Sequence, residues 1–357
     1  MIAVHFYSIA CILGASSAHD VATALKILDP SAYKFATRGG VHGALRGIAN
    51  IQDGVTIDLR GLNYIIPFAG NRLVSVGGGQ TIGTVYAALH NLGITISGGR
   101  SYDVGVGGST LGNGWQWMSN EAGFGCDNVA EYEVVLSNGT IVIANRYTNA
   151  KLWKSLKGGG NNFGIVTSFV FRTMPMARIW TEDVLYSLTE SQVPRLLSAA
   201  ANFTSDPEPD PKATLFIAAV SAVYGIGWTL SFQPLTRLMT EASAARGGNV
   251  VGIGLPPPER LHDVQLTAAF LGAADYGRVS SAADQLLAEC IAAVTAHGAY
   301  WPWVEMNHAS HIQDPISTYG KENKAFVLDT ASEYDPYAVF QNLMPGGCKL
   351  EAGCASR

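Results

Sequence analysis

The sequence has few charged residues and no run of like charges. Asp, Glu, Lys and Arg make up 14% of its 357 residues, and the formal net charge is −5. A nucleic-acid-binding chain usually carries a basic stripe or patch, so the scattered basic residues argue against nucleic acid as a partner. With 48% hydrophobic residues, the composition argues against a disordered tail and predicts a compact, well-buried protein.

Cysteine is scarce and is not arranged for metal binding. There is no C-x-x-C pair, and an odd cysteine remains if the others bond, so we predict neither a metal site nor a full disulfide framework. The five cysteines are Cys11, Cys126, Cys290, Cys348 and Cys354.

Long apolar runs are also missing. Residues 2–18 are short for a membrane span and lack the basic start of a signal peptide, although that interpretation stays open. We favour a buried strand around residues 9–13 and then a helix capped by Ser17, with Asp20 as its capping-box partner. No membrane partner is expected, and the sequence assigns no compartment.

Glycine is abundant, with 40 residues. Up to about residue 175 the chain alternates strand and helix patterns, including predicted strands at 55–59 and 73–76 and a predicted helix at 82–92. Asn138 and Gly139 separate two apolar segments and predict a tight hairpin. Beyond residue 175 alanine-rich helical stretches dominate, and the length itself predicts two domains or subdomains.

The glycines concentrate in three loops. These are Arg38-Gly39-Gly40-Val41-His42, the segment from Gly98 to Gly114, and the segment from Lys157 to Thr167. Bare glycine backbone can present consecutive N–H groups to a pyrophosphate without any lysine. The first loop alone is compatible with an ordinary turn, but three such loops are hard to explain as turns alone. No strict G-x-G-x-x-G or P-loop pattern occurs, which argues against Rossmann and P-loop folds.

In order along the chain these motifs resemble a known family. The series R-G-G-x-H, V-x-V-G-G-G, G-G-R-x-x-x-V-G-V-G-G-x-x-L-G-x-G, D-N-V, E-V-V-L-x-N-G and L-K-G-G-G-x-N-F-G-I-V-T runs through residue 167. It resembles the PCMH-type FAD-binding domain of berberine-bridge-like enzymes in the vanillyl-alcohol-oxidase superfamily. Residues 306–316 and 334–341 are similar to the C-terminal segment of fungal members.

The resemblance implies an α+β fold. An FAD-binding domain, here residues 1–175, would be completed by residues 305–357, with an α+β substrate domain at 176–304 inserted between them. Measured against the expected domain, the sequence begins almost on its first strand, so we expect a missing leading segment, and we also expect a short substrate domain.

The resemblance also implies FAD as cofactor, bonded covalently through His42 to the flavin 8α position. Ser101 stands where some members have a second linking cysteine, so we expect one covalent bond. Val104 resembles the valine that leaves oxygen access in oxidase members. The implied cofactor-binding residues besides His42 are Arg38, Gly39, Gly40, Val41, Gly99, Ser101, Val104, Gly105, Gly107, Gly108, Ser109, Gly112, Gly160, Asn162, Gly164, Ile165, Val166 and Asn307.

The chain departs from the family at its catalytic motif. His308 stands where members usually have a tyrosine base, and a neutral imidazole, with a usual pKa near ~6.5 against ~10 for a phenol, can serve as a general base. Tyr319 is the other catalytic candidate. Val41 also replaces a commoner glycine in the first loop.

The sequence therefore predicts a monomeric FAD-dependent oxidase. It would take hydride from a small alcohol, sugar or secondary metabolite and pass the electrons to molecular oxygen, and no residue selects among these substrates. The alternative is a truncated, catalytically silent flavin-binding relative.

Overall fold

The computed structural model describes residues 9–28, 33–176, 192–206, 209–223, 226–253, 261–270 and 272–354. Residues 2–8, and those that directly follow the expected domain boundary at 176, lie outside the described residues. The described strands, in chain order, are β1 (Cys11–Gly14), β2 (Phe35–Arg38), β3 (Val55–Asp58), β4 (Ile65–Phe68), β5 (Leu73–Gly77), β6 (Ile94–Ile96), β7 (Val129–Val135), β8 (Ile141–Asn145), β9 (Ile165–Pro175), β10 (Ile217–Val223), β11 (Ile226–Leu235) and β12 (Leu261–Ala269).

Helices and strands together give an α+β fold, as expected. The described α-helices are α1 (Ala18–Ile27), α2 (Ile82–His90), α3 (Val106–Gly112), α4 (Ser119–Ala122), α5 (Ala150–Ser155), α6 (Gln192–Thr204), α7 (Arg237–Ala245), α8 (Tyr276–Ala296), α9 (Pro315–Thr318), α10 (Lys321–Tyr334) and α11 (Val339–Asn342). Among the described helices, none is both long and apolar enough to cross a membrane.

The strands form three sheets. The first is parallel, in the order β1-β3-β2. The second is antiparallel, in the order β4-β5-β9-β7-β8, and β6 pairs with the far end of β9. The third is an antiparallel sheet, β10-β11-β12, in the part of the chain expected to hold the substrate.

Two local predictions are confirmed. The Ser17 hydroxyl accepts from the backbone N–H of Asp20, and the Asp20 carboxylate accepts from the backbone of Ser17, so the capping box is complete. Val135 pairs with Ile141 across the hairpin turn, and Gly139 takes a positive φ of 75°. This conformation needs glycine because an L side chain crowds the backbone there.

The C-terminal segment packs back on the first sheet. The backbone N–H of Phe35 in β2 donates to the Leu343 carbonyl at 2.7 Å, and the rings of Phe35 and Phe340 meet edge to face at 6.2 Å. Both phenylalanines are fully buried in an apolar cluster that also contains Ile57. A disulfide joins Cys348 and Cys354 in the same segment.

Candidate functional site

Glycine backbones bring three loops into direct contact. A Cβ added to Gly40 would stand 2.1 Å from the Gly105 nitrogen, and one added to Gly39 would stand 3.3 Å from the Gly78 carbonyl oxygen. Any larger residue at position 40 would force the loops apart. We call residues 38–42, 77–79 and 98–114 the glycine cradle.

The cradle fits the pyrophosphate of a dinucleotide. In the described part of the structure, residues 39–44 donate no backbone hydrogen bond, so their N–H groups are free to face an anionic group. The Arg38 side chain lies at the start of this loop, 3.6 Å from Asp58, and its Nε is buried without a partner. Gly108 has open space beside it.

His42 lies at the end of this loop. Its Nε2 is 3.1 Å from the Asp103 carboxylate, and about a third (35%) of its side chain is exposed. Ala44, Leu45 and Arg46, which follow His42 closely, line a large cavity, whereas His42 itself is not among the lining residues.

The cavity has a volume of about 740 Å³. It lies between the third sheet, helices α6 and α8, and residues 299–313. Most of its wall is apolar, from residues such as Phe232, Leu287, Trp301 and Trp303, and the wall also contains polar side chains. The volume and the lining are typical of a pocket that buries an organic molecule.

Three titratable side chains meet in the wall of the cavity. Nδ1 of His308 is 3.1 Å from the Asp263 carboxylate and 3.4 Å from the Glu305 carboxylate. Asp263, Glu305 and His308 all line the cavity. The Glu305 side chain is 1% exposed, and the backbone of His308 and of Asn307 stabilises its carboxylate form.

Burial and mutual attraction shift the protonation of this cluster. Burial raises the pKa of the Glu305 carboxyl to about 7. Burial alone would lower the pKa of the His308 imidazole, but Glu305 and Asp263 outweigh it and raise that pKa above its usual value. The cluster therefore retains a proton near neutral pH, in a position where a proton-transfer group needs one.

Arg100 connects the cradle to the same cluster. Burial lowers its pKa, and the charges of Asp263 and Glu305 act against that effect. Its guanidinium lies over the rings of Phe216 and Trp117, at 5.2 and 5.7 Å from their centroids. The positive charge is thus held in place by aromatic faces.

Asn307 joins the cradle to the cavity. Its side-chain amide donates to the Ser109 carbonyl at 2.9 Å, and a Cβ on Gly112 would stand 2.0 Å from its Oδ1. Asn307 also lines the cavity. Asn307 thus links the two parts of the site, and its predicted contact with the cofactor stays a prediction.

The glycine loop at residues 157–167, which is not part of the cradle, packs against it. Gly160 donates to the Leu111 carbonyl, and the amide of Asn162 donates to the Gly159 and Cys348 carbonyls. Five residues expected to contact the cofactor are buried here among protein atoms: Gly160, Asn162, Gly164, Ile165 and Val166. Their contact with the cofactor stays a prediction.

The remaining sequence candidates differ in how exposed they are. Ser101 and Gly108 are exposed in the cradle, Val104, Gly107 and Ser109 are half-buried, and Gly99 and Gly105 are buried. Tyr319 is buried, its hydroxyl donates to the Gly158 carbonyl at 3.0 Å, and it does not line the cavity. The structure brings His308, but not Tyr319, to a place where a substrate could bind.

Val41 has a backbone conformation that glycine adopts without strain. Its φ is 58°, in the left-handed region, where a β-branched residue is strained. Its side chain is 50% exposed. The valine therefore strains the backbone of the loop.

Comparison with known proteins identifies an FAD-binding domain and the fold. Residues 9–145 match the FAD binding domain family. Among solved structures, 6-hydroxy-D-nicotine oxidase from Arthrobacter nicotinovorans has a TM-score of 0.70 at 18% identity, with 94% of this chain and 91% of that chain covered. Berberine bridge enzyme from Eschscholzia californica has a TM-score of 0.71 at 13% identity, with 93% and 89% covered.

Curated fungal relatives cover nearly the whole chain. The FAD-dependent monooxygenase tpcD of Cochliobolus heterostrophus is 28% identical, over 96% of this chain and 85% of its own length. The FAD-dependent monooxygenase drtC of Aspergillus calidoustus is 29% identical, over 96% and 83%. The chain therefore carries a PCMH-type FAD-binding domain and has the fold of the berberine-bridge-enzyme-like flavin-dependent oxidoreductases.

Proposed function

We propose that this protein is an FAD-dependent oxidase, with His42 as a single covalent tether and the 740 Å³ cavity as its substrate site. FAD, when bound, accepts a hydride from the substrate and passes two electrons to oxygen. The free N–H groups of the cradle would hold the pyrophosphate. Asn307 would fix the position of the cradle relative to the cavity. Ser101 offers no thiolate for a second bond.

One observation carries the proposal. His308, with one buried and one half-buried carboxylate beside it, lies in the cavity wall next to Asn307, which is hydrogen-bonded to the cradle. A group that can exchange a proton is thereby fixed next to the place where the cofactor would bind. This is the arrangement that oxidation of an alcohol requires, because the hydroxyl must lose a proton as hydride leaves the carbon.

The carboxylates determine which nitrogen of His308 would act as the base. They face Nδ1, so a proton on that nitrogen is hydrogen-bonded, and Nε2 is the nitrogen left to accept a proton from the substrate hydroxyl. Arg100 would offset the negative charge of Asp263 and Glu305. The apolar wall favours a substrate with an apolar body and one hydroxyl, such as a secondary metabolite, over a free sugar.

A second candidate function is monooxygenation. Two of the relatives described above are named FAD-dependent monooxygenases, which favours insertion of an oxygen atom into the product. The two activities differ in the fate of oxygen. An oxidase releases one peroxide for each substrate molecule oxidised, whereas a monooxygenase transfers one atom of ¹⁸O₂ to the product.

Purified protein tests the proposal in two steps. Flavin that stays with the polypeptide after acid precipitation, and is lost in His42→Ala, would support the tether. Asp53→Asn is a matched control, because Asp53 lies in an exposed turn with φ 52° that asparagine tolerates. Apolar alcohols and sugars are then compared for peroxide release and for ¹⁸O in the product. Bound flavin that none of them reduces would instead favour the catalytically silent relative.

A further inference from the structure

Two cradle loops place His42 and Asp103 opposite each other. The loops touch at Gly40 and Gly105. His42 follows the first glycine by two residues, and Asp103 precedes the second by two. Because this contact is between backbones, it fixes the separation of the two side chains more firmly than a surface ion pair alone would.

The contact between His42 and Asp103 has a defined donor and a defined acceptor. Nε2 of His42 is 3.1 Å from the Asp103 Oδ2. The hydrogen bond from His42 holds the pKa of the Asp103 carboxyl below its usual value, so the carboxylate is an acceptor at neutral pH. An acceptor at Nε2 fixes the imidazole proton on that nitrogen and leaves the lone pair on Nδ1.

We propose that Asp103 is a positioning residue for covalent attachment of FAD, holding His42 so that Nδ1 is the attacking nitrogen and taking up the proton that Nε2 releases. The proposal rests on the tether at His42 proposed above. It concerns how the bond is made, and not the oxidation of substrate.

Attachment forms one bond to the flavin and breaks one C–H bond and one N–H bond. The new bond joins Nδ1 to the 8α carbon of the flavin. That carbon loses one hydrogen as a proton, and Nε2 loses its proton to the Asp103 carboxylate. The electron pair of the broken C–H bond stays in the isoalloxazine, which is reduced by two electrons and takes up both protons by way of solvent. Molecular oxygen then reoxidises the ring and is released as hydrogen peroxide.

The chemistry resembles activation of a nucleophile by an adjacent base. Proton transfer of this kind contributes roughly 10²–10⁴-fold to a rate, and a carboxylate as exposed as Asp103, at 76%, is expected to contribute toward the low end of that range. The structure therefore assigns to Asp103 an effect on the rate of attachment, with little effect on the affinity for FAD.

The test follows attachment over time. Full-length protein produced with limiting riboflavin is incubated with FAD in air and acid-precipitated at intervals, and flavin in the pellet and intact mass are measured. Wild type should gain one FAD per chain. Asp103→Ala should attach FAD about 10-fold or more slowly than wild type, while binding it reversibly to the same extent.

Three further variants complete the design. Asp103→Asn keeps an acceptor but cannot take up a proton, so it should also be slow, whereas Asp103→Glu should recover much of the rate. Asp53→Asn removes an exposed carboxylate elsewhere and should match wild type. Attachment by Asp103→Ala at the wild-type rate would overturn the proposal and leave the tether intact. Wild-type protein that binds FAD but releases all of it in acid would overturn both.

Discussion

With His308 as the proposed base, the two carboxylates around it are expected to make activity depend on pH. They raise the pKa of the imidazole, and a general base works only after it has lost its proton. We expect kcat/KM of wild type to rise with pH through that raised pKa. Asp263→Asn removes one negative charge, lowers the pKa of His308, and should move the rise to lower pH.

The same assay needs two comparisons. His308→Gln should lower kcat by about 10²–10⁴-fold, the usual contribution of a general base. Asp284→Asn changes a carboxylate elsewhere in the cavity wall, 3.8 Å from His311, and should leave the profile of wild type unchanged. An unshifted profile in Asp263→Asn would show that His308 is not the base.

Part of this cluster could be predicted from sequence. His308 was identified by its position in the C-terminal motif. Glu305 precedes it by three residues, a spacing that places side chains on one helical face, so a local signal existed. Asp263 lies 45 positions away on β12, and Arg100 lies in the cradle. Only the tertiary fold brings these two close to His308.

Val41→Gly is expected to stabilise the protein. It removes the strain of a valine in the left-handed region, about 1–2 kcal/mol. Glycine has more conformational entropy in the unfolded chain, which offsets about 0.5–1 kcal/mol of that gain. The net gain should be about 0.5–1 kcal/mol in urea unfolding. Val220→Gly makes the same chemical change at an exposed position of β10 and should cost about 1 kcal/mol. Equal losses in both variants would contradict the strain at Val41.

At the scale of elements, helix α1 depends on its cap. Ser17→Ala leaves the backbone N–H of Asp20 without its acceptor, so the free energy of unfolding should fall by about 1 kcal/mol. Thr23→Ala changes an exposed residue within the same helix and should stay within about 0.5 kcal/mol of wild type. The comparison is made by urea unfolding, and equal effects at the two positions would argue against the cap.

The elements that were predicted correctly have short-range causes. Ser17 with Asp20, and Asn138 with Gly139, act within a few residues, so the sequence alone contains the signal. The order β1-β3-β2 and the pairing of β6 with β9 depend on residues far apart in the chain. The third glycine loop shows the same limit, because the partner of Asn162 is the Cys348 carbonyl, 186 positions away.

At the scale of the whole molecule, Lys349 links stability to pH. Its Nζ donates to Asn161 at 3.1 Å, and burial lowers its pKa from 10.5 to about 7. Between those two values the folded chain binds fewer protons than the unfolded chain, so this lysine makes stability rise with pH. Glu305 has the opposite effect and makes stability fall as pH rises. Its effect lies between its usual pKa of 4.5 and about 7, which is below the pH range in which Lys349 acts.

Lys349→Met should therefore flatten the dependence of stability on pH. The free energy of unfolding is compared at pH 7.5 and 9.5, where the gain seen in wild type should shrink. Some gain should remain, because burial also lowers the pKa of Lys157 to about 8. Lys212→Met, at an exposed position, should keep the slope of wild type. An unchanged slope in Lys349→Met would contradict the burial of a titrating amine.

The return of residues 340–350 to the first sheet sets the order of events during synthesis. A nascent polypeptide leaves the ribosome with its N-terminus first, so every cradle glycine emerges well before Phe340 can cover Phe35 or Cys348 can meet Asn162. Until then the first sheet lacks the C-terminal residues that bury it. Contacts between residues so far apart in the chain also form slowly. Cofactor loading should accordingly follow translation, and ribosome-bound chains stalled before residue 340 should not retain flavin.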